Sequence, residues 1–240
     1  MIKPRNESQQ KNLLPAAAIF DMDGVLVDSN PFHLEKWIEF LNRHHVSFNR
    51  AELPKLILGQ RNDTALRYFL GQDLRKEECR ELEEELEAAF RVAFKAHAKP
   101  LPGLLDLILE CSDAGIPMAV ASSAMKKNVD FVVDALGFRE YFFYVVSGDE
   151  VSIPKPDPEI YLKAAQQLGF EAAHCVAFED SFVGIESAKG AGMKCVAIAS
   201  SFPIQELRAQ TNADLVVRSF EELSVVDLRG LFPSTSKPTP

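Results

Sequence analysis

The chain has 240 residues, 47% of them hydrophobic and 25% charged, which excludes disorder of the whole chain and suffices for a sizeable core in one or two domains. With 26 Lys and Arg against 35 Asp and Glu the net charge is −9, which argues against nucleic acid or an anionic membrane as partner. No apolar segment reaches the roughly 18 residues of a spanning helix and the polar N-terminus lacks a signal-peptide core, so a cytoplasmic protein is expected, with a monomer favoured.

In chain order, residues 1–15 are polar and are expected to form a disordered tail. The apolar run 16–20 then reads as a buried strand and ends in Asp21-Met22-Asp23-Gly24-Val25. Two carboxylates at i and i+2 beyond a strand share a face and converge on one point. Such a pair can hold a divalent cation between hard oxygens while one carboxylate acts as nucleophile and the other moves a proton. Asp23-Gly24 equally suits a strand-ending turn, so the pair alone does not decide between the two.

Residues 31–99 contain no convincing strand. Leu82, Leu86, Phe90 and Phe94 recur every four residues, and Leu34, Trp37, Ile38 and Leu41 form a second apolar stripe, so this stretch is read as a helical cap domain inserted after the first strand. The Glu-rich face over residues 77–87 is expected to be the solvated side of its helix.

Continuous apolar runs follow at 118–122, 144–147, 175–178, 195–198 and 215–217, alternating with helical patterns that stop at Gly137, Gly169 and Gly192. This alternation predicts an α/β fold, a doubly wound parallel sheet built from residues 16–30 and 100–232, with its ligand site off the carboxyl ends of the strands. Polar groups suited to phosphoryl transfer sit at those ends: Ser122 closes one run, Lys155 opens Lys155-Pro156-Asp157-Pro158, and Glu179-Asp180 follows another. Cys79, Cys111, Cys175 and Cys195 show neither C-x-x-C spacing nor a His cluster and read as reduced core thiols. Residues 233–240 are rich in Pro, Ser and Thr and are expected to form a second disordered tail.

Four ordered motifs, Asp21-Met22-Asp23-Gly24-Val25-Leu26-Val27-Asp28-Ser29, Ala121-Ser122-Ser123, Lys155-Pro156-Asp157-Pro158 and Phe178-Glu179-Asp180-Ser181, give the chain its resemblance to the haloacid dehalogenase-like hydrolase superfamily. It resembles most the branch of β-phosphoglucomutase, phosphoglycolate phosphatase and small sugar-phosphate phosphatases. The resemblance implies a Rossmann-like core with an inserted helical cap, and a magnesium-dependent phosphatase acting on a small phosphorylated metabolite. Asp21 would be the nucleophile that becomes an aspartyl-phosphate, ionised at an ordinary Asp pKa of about 3.9. Asp23 would be the general acid and base, and Lys155 the cation that balances the phosphoryl oxygens. Ser122, with the backbone N–H groups of Ser123 and Ala124 at a helix start, would cradle the phosphate.

For Mg2+ the resemblance implies Asp21, the backbone carbonyl of Asp23, and Asp180, with Glu179 ligating directly or through water; adjacent residues point opposite ways, which favours Asp180. In the cap, whose residues His33, Trp37, Arg61 and Asn62 are expected to meet the substrate, His33 stands where β-phosphoglucomutase-like proteins carry a histidine, Trp37 lies one turn beyond, and Gly59-Gln60-Arg61-Asn62-Asp63 resembles the family's specificity loop. The mutase's cap arginine falls at Asn62, with Arg61 one position displaced, and its groups for a distal phosphate fall at Ala124 and Met125, with Lys126 offset. These departures favour a hydrolase over a phosphoglucomutase. A catalytically silent binding protein is the third possibility, against which stand the intact motif acids.

Overall fold

The computed structural model describes residues 14–232. Six strands form one parallel sheet: β1 (Ala17–Phe20), β2 (Met118–Ala121), β3 (Phe142–Val146), β4 (Cys175–Glu179), β5 (Lys194–Ile198) and β6 (Leu215–Val217). Their order is β3-β2-β1-β4-β5-β6, so the winding reverses between β1 and β4. A Rossmann-like sheet of this kind opens its crevice at that reversal, beyond the carboxyl ends of the strands.

The inner strands β1, β2, β4 and β5 are buried on both faces, while the edge strands β3 and β6 are partly exposed, and the alternation of side chains divides the core in two. Ala17, Ile19, Ala119, Ala121, Ala177, Cys195 and Ala197 face one layer, packed with Tyr161 and Ala164 of α7 (Glu159–Leu168) and Ile185 of α8 (Phe182–Gly190). The opposite face carries Phe20, Met118, Val120, Phe178 and Ile198 against Leu107 of α5 (Leu104–Asp113) and Val129 of α6 (Lys126–Leu136). Small residues on one face and large ones on the other let helices approach the two sides at different depths. The remaining core helices, α9 (Ile204–Gln210) and α10 (Val225–Gly230), complete the layers. Gly137 and Gly169 end α6 and α7 in left-handed conformations, at φ 69° and 81°.

Four helices stand between β1 and α5: α1 (Asn30–Arg43), α2 (Leu53–Ile57), α3 (Asn62–Leu70) and α4 (Lys76–Phe94). The chain leaves and re-enters the core side by side, where Val27 bridges Pro100 and Leu101 N donates to Leu26 O. Leu86, Phe90 and Phe94 are buried along α4 and Leu82 is half-buried, as the four-residue spacing requires. All four cysteines are buried free thiols.

Three expectations need correction. The expected N-terminal tail of 1–15 is too long, because Pro15 is buried and Leu14 packs on the core; residues 1–13 and the tail 233–240 lie outside the described residues. The face over 77–87 is not wholly solvated, because Glu87 is buried and Glu83 half-buried. Trp37 is 1% exposed and packs edge-on against Phe40 and beside Phe69 inside the helical insertion, where it touches no part of the crevice.

Trp37→Ala should therefore cost about 3–5 kcal/mol of stability, read as a lower urea midpoint, with substrate KM unchanged for the folded fraction. A raised KM at unchanged stability would return Trp37 to the binding surface.

Candidate active site

The hydrogen-bond ladders run one step past the strands and so fix the residues that follow them. Asp21 N donates to Phe178 O at 3.0 Å, and Ser122 N to Val146 O at 3.0 Å. Asp21 is thereby set beside Glu179 and Asp180, at the point where the sheet order reverses.

Lys155 enters from the far side of β2 and is completely buried. Its Nζ lies 2.7 Å from Asp21 Oδ1, 2.6 Å from Glu179 Oε1 and 3.3 Å from Ala121 O. Burial disfavours the ammonium, but the two carboxylates outweigh it and hold the lysine charged. The Asp21 carboxyl departs from its ordinary value: burial above all pushes it up to about 8, with Lys155 opposing and Glu179 adding to the rise. Asp180 is likewise raised by burial and by the charges of Glu179 and Asp21.

Candidate ligand atoms of Asp21, Glu179 and Asp180 lie within 4.8 Å of one another, a buried acidic group that could hold a metal ion. Three carboxylates against one ammonium leave two negative charges uncompensated in a dry site, which a divalent cation would neutralise. Asp180 Oδ1 is the one buried side-chain polar atom among the described residues without a hydrogen-bond partner. Its other oxygen accepts from Asn30 Nδ2 at 2.8 Å and from Ser201 Oγ, which orients the carboxylate. Glu179 is occupied instead: Oε1 accepts from Lys155 and, at 2.9 Å, from Tyr161 OH, while Oε2 accepts from Asp180 N, Ser181 N and Ser181 Oγ. The donor set fits a hard cation through Asp21 and Asp180, with Glu179 holding Lys155 and the turn after β4.

Asp23 sits across the cavity from this cluster. Its Oδ1 accepts from Ser29 Oγ at 2.5 Å and lies 3.2 Å from His33 Nε2. Burial would raise the Asp23 carboxyl, but the charge and hydrogen bond of His33 and the Ser29 hydroxyl bring it below its ordinary value. Burial would lower His33, and Asp23 raises it instead. The imidazole stacks on Phe90 with centroids 3.8 Å apart, so α4 fixes its plane.

The loop after β2 differs from expectation. Helix α6 begins at Lys126, so Ser122 is not its N-cap. Ser122 Oγ accepts from Ala124 N at 3.1 Å, which consumes an N–H assigned to phosphate, and Lys126 N is capped by Asp149 Oδ2 at 2.7 Å. Ser123 N–H has no partner among the described residues and remains available, while Ser123 Oγ donates to Gly59 O at 2.8 Å and ties this loop to the helical insertion.

Asp21, Asp23, Ser122, Ser123, His33, Arg61 and Asn62 all line one cavity of about 380 Å³, within the size of small-ligand sites. Arg61 is held by Asp63 at 2.8 and 2.5 Å, and Asn62 Nδ2 donates to Glu87 Oε1. Glu83 and Glu87 also line this cavity, and burial raises both, Glu83 to about 7. Sequence reasoning missed Ser29, Asn30, Tyr161, Glu83, Glu87 and Ser201. Only Ser29 lay within a motif already singled out; the others come from helices or loops without local signature.

A family model described as haloacid dehalogenase-like hydrolase matches residues 15–192. The chain is 32% identical over 215 residues to the chloroplastic 5-amino-6-(5-phospho-D-ribitylamino)uracil phosphatase of Arabidopsis thaliana, which covers 89% of this chain but 57% of that protein. It is 29% identical to hexitol phosphatase B of Escherichia coli (strain K12), covering 89% of this chain and 96% of that one. Among solved structures, a HAD hydrolase of family IA, variant 3, from Entamoeba histolytica HM-1:IMSS superposes with a TM-score of 0.81 at 29% identity, covering 90% and 98% of the two chains. No helix among the described residues is long and apolar enough to cross a membrane.

Gly24 has φ 77°, and a Cβ there would lie 2.0 Å from Asp180 Oδ2 and 2.5 Å from Asn30 Nδ2. Gly24→Ala should displace the Asp180 carboxylate and weaken divalent-cation binding by about tenfold or more, measured by calorimetric titration. Unchanged affinity would remove Asp180 from the ligand set.

Proposed function

Since the chain belongs to the haloacid dehalogenase-like hydrolase family, we propose that it is a magnesium-dependent phosphatase that hydrolyses a small phosphorylated metabolite, a sugar phosphate or similar monoester, through an aspartyl-phosphate on Asp21. The observation that carries this reading is the buried Lys155 ammonium 2.7 Å from Asp21 Oδ1, beside an Asp180 oxygen that lacks a partner.

Asp21 attacks phosphorus in line with the ester oxygen, and the bond to that oxygen breaks. Asp23 gives the leaving alcohol its proton from Oδ2, drawing on the minor protonated form that its lowered carboxyl leaves, while His33 and Ser29 at Oδ1 hold the group in place. A water then attacks the aspartyl-phosphate, Asp23 takes its proton, and inorganic phosphate leaves with Asp21 restored. Lys155, Ser122 and the Ser123 N–H hold the charge that spreads over the phosphoryl oxygens. Asp21, Asp180 and the Asp23 carbonyl would hold magnesium, which when bound would supply positive charge against those oxygens and the buried carboxylates. The helical insertion, α1 to α4, acts as the cap that excludes bulk water from this chemistry.

Hydrolysis is preferred to a mutase reaction because the positions where the resemblance puts a mutase's grip on a second phosphate are engaged or apolar here, and the cavity's Lys76 and Arg80 stand on the exposed start of α4. Asn62 is bound to Glu87, Arg61 is paired with Asp63, Met125 is apolar, and Lys126 pairs with Asp130 at 2.6 Å.

Purified protein with magnesium should release phosphate from one or more sugar or polyol monophosphates, and chelation should abolish release. Asp21→Asn should reduce kcat below detection. Lys155→Ala should lower kcat by orders of magnitude through lost transition-state stabilisation. Undiminished turnover by Asp21→Asn would refute the aspartyl-phosphate, and a near-normal rate in Lys155→Ala would remove its assigned role.

A further inference from the structure

Five residues of α4 line the cavity, Cys79 and four charged ones at helical spacing: Lys76, Arg80, Glu83 and Glu87. Successive members of such a row stack along one face of the helix. Their burial increases in order, with Lys76 and Arg80 exposed, Glu83 half-buried and Glu87 3% exposed. The wall is thus cationic at the mouth and anionic inside. At 1.5 Å per residue the two cations stand about 16 and about 10 Å from Glu87 along the helix.

Glu87 is held as a hydrogen-bond acceptor. Arg91 NH1 donates to Asn128 Oδ1, so the Asn128 amide nitrogen must face Glu87, and it donates to Oε2; Asn62 Nδ2 donates to Oε1. Each carboxylate oxygen retains lone-pair capacity for one more donor. The cations of the cavity are engaged elsewhere: Arg61 by Asp63, Arg67 NH1 by the carbonyls of Gln72 and Leu74 at 3.0 and 2.8 Å, and His33, whose charge does reach Glu87, by Asp23. Glu87 is also close enough to His33 and Asp23 for its charge to be felt at both.

Resting on the phosphatase reading, we infer that Glu87 is a specificity-determining residue, which accepts hydroxyl groups of an uncharged leaving group and rejects one that carries a second anion near the scissile bond. The leaving oxygen must lie within reach of Asp23, so the next few atoms of the leaving group lie between Asp23 and the Glu87 wall. A carboxylate or phosphate there meets the like charge of Glu87, with Arg61, Arg67 and His33 already engaged, whereas a hydroxyl donates to it. A second anion is compatible only on a leaving group long enough to reach Arg80 or Lys76 at the mouth. The class selected is a polyhydroxylated, neutral chain or ring.

The test compares glycerol 3-phosphate with 3-phosphoglycerate, which differ by a hydroxymethyl group against a carboxylate, as competitors of the best monoester substrate. Wild-type protein should bind the phosphoglycerate at least about tenfold more weakly. Glu87→Gln should narrow that gap to about threefold or less, and Glu87→Asp should keep it. A purely structural Glu87 would change thermal stability and the turnover of every substrate together, leaving the ratio fixed, and a fixed ratio overturns the inference. Wild-type preference for phosphoglycerate overturns it without any variant. Failure to release phosphate from any monoester would instead remove the phosphatase reading beneath it.

Discussion

The contact on which the site depends is the buried ammonium of Lys155 held between Asp21 and Glu179. An ion taken out of water costs several kcal/mol, about that much again for each further charge, unless partners are placed to compensate it. Here the compensation comes from groups carried by three separate strand ends: Asp21 after β1, the Ala121 carbonyl of β2, and Glu179 at the end of β4. The sheet register that brings these ends together is set in turn by the apolar pairing below them, where Phe20 stacks on Phe178 at 4.5 Å. The charged layer is therefore as rigid as the core it rests on. Rigidity of this kind is what electrostatic catalysis requires, because fixed dipoles and charges need not reorganise when the reaction begins.

The same balance explains the division of labour between the two acids after β4. Glu179 is the last residue of the strand, turned into the core, and satisfied by five donors. Asp180, one residue later, turns toward the crevice, with one oxygen oriented by Asn30 and Ser201 and the other left over. Gly184 belongs to this arrangement, since a Cβ there would lie 1.9 Å from Glu179 Oε1. One carboxylate keeps the lysine in place and the other is kept open.

The helical insertion meets the core through apolar packing, where Phe90 and Phe94 join the cluster of Phe20 and Leu104, and through polar contacts at the cavity. His33 reaches Asp23, Ser123 Oγ reaches the Gly59 carbonyl, and Asn128 reaches Glu87. Contacts of this type are directional and exchange readily with water, unlike the apolar packing inside each layer. They suit a wall that shapes a leaving-group pocket.

Much of this was legible in the sequence. The α/β class followed from short continuous apolar runs alternating with helical patterns, and the candidate residues Asp21, Asp23, Ser122, Lys155 and Asp180 followed from polar groups placed just beyond those runs. Both depend on local periodicity and chain order, which the sequence carries directly. What the tertiary structure decided was direction and company. Trp37 and Glu87 each lie on amphipathic helices whose pattern gives two faces but not the neighbour each face will meet, so an aromatic assigned to the pocket went to the core and a glutamate assigned to solvent went to the pocket. Tyr161 and Ser201 join the site from 18 and 21 residues beyond the acids they touch, or before them, with no motif of their own. The shift of Asp21 away from an ordinary carboxyl likewise arises from burial and from charges contributed by distant segments. Such properties belong to the assembled environment rather than to any stretch of chain, because desolvation and Coulomb interaction depend on distance in space and not on distance in sequence.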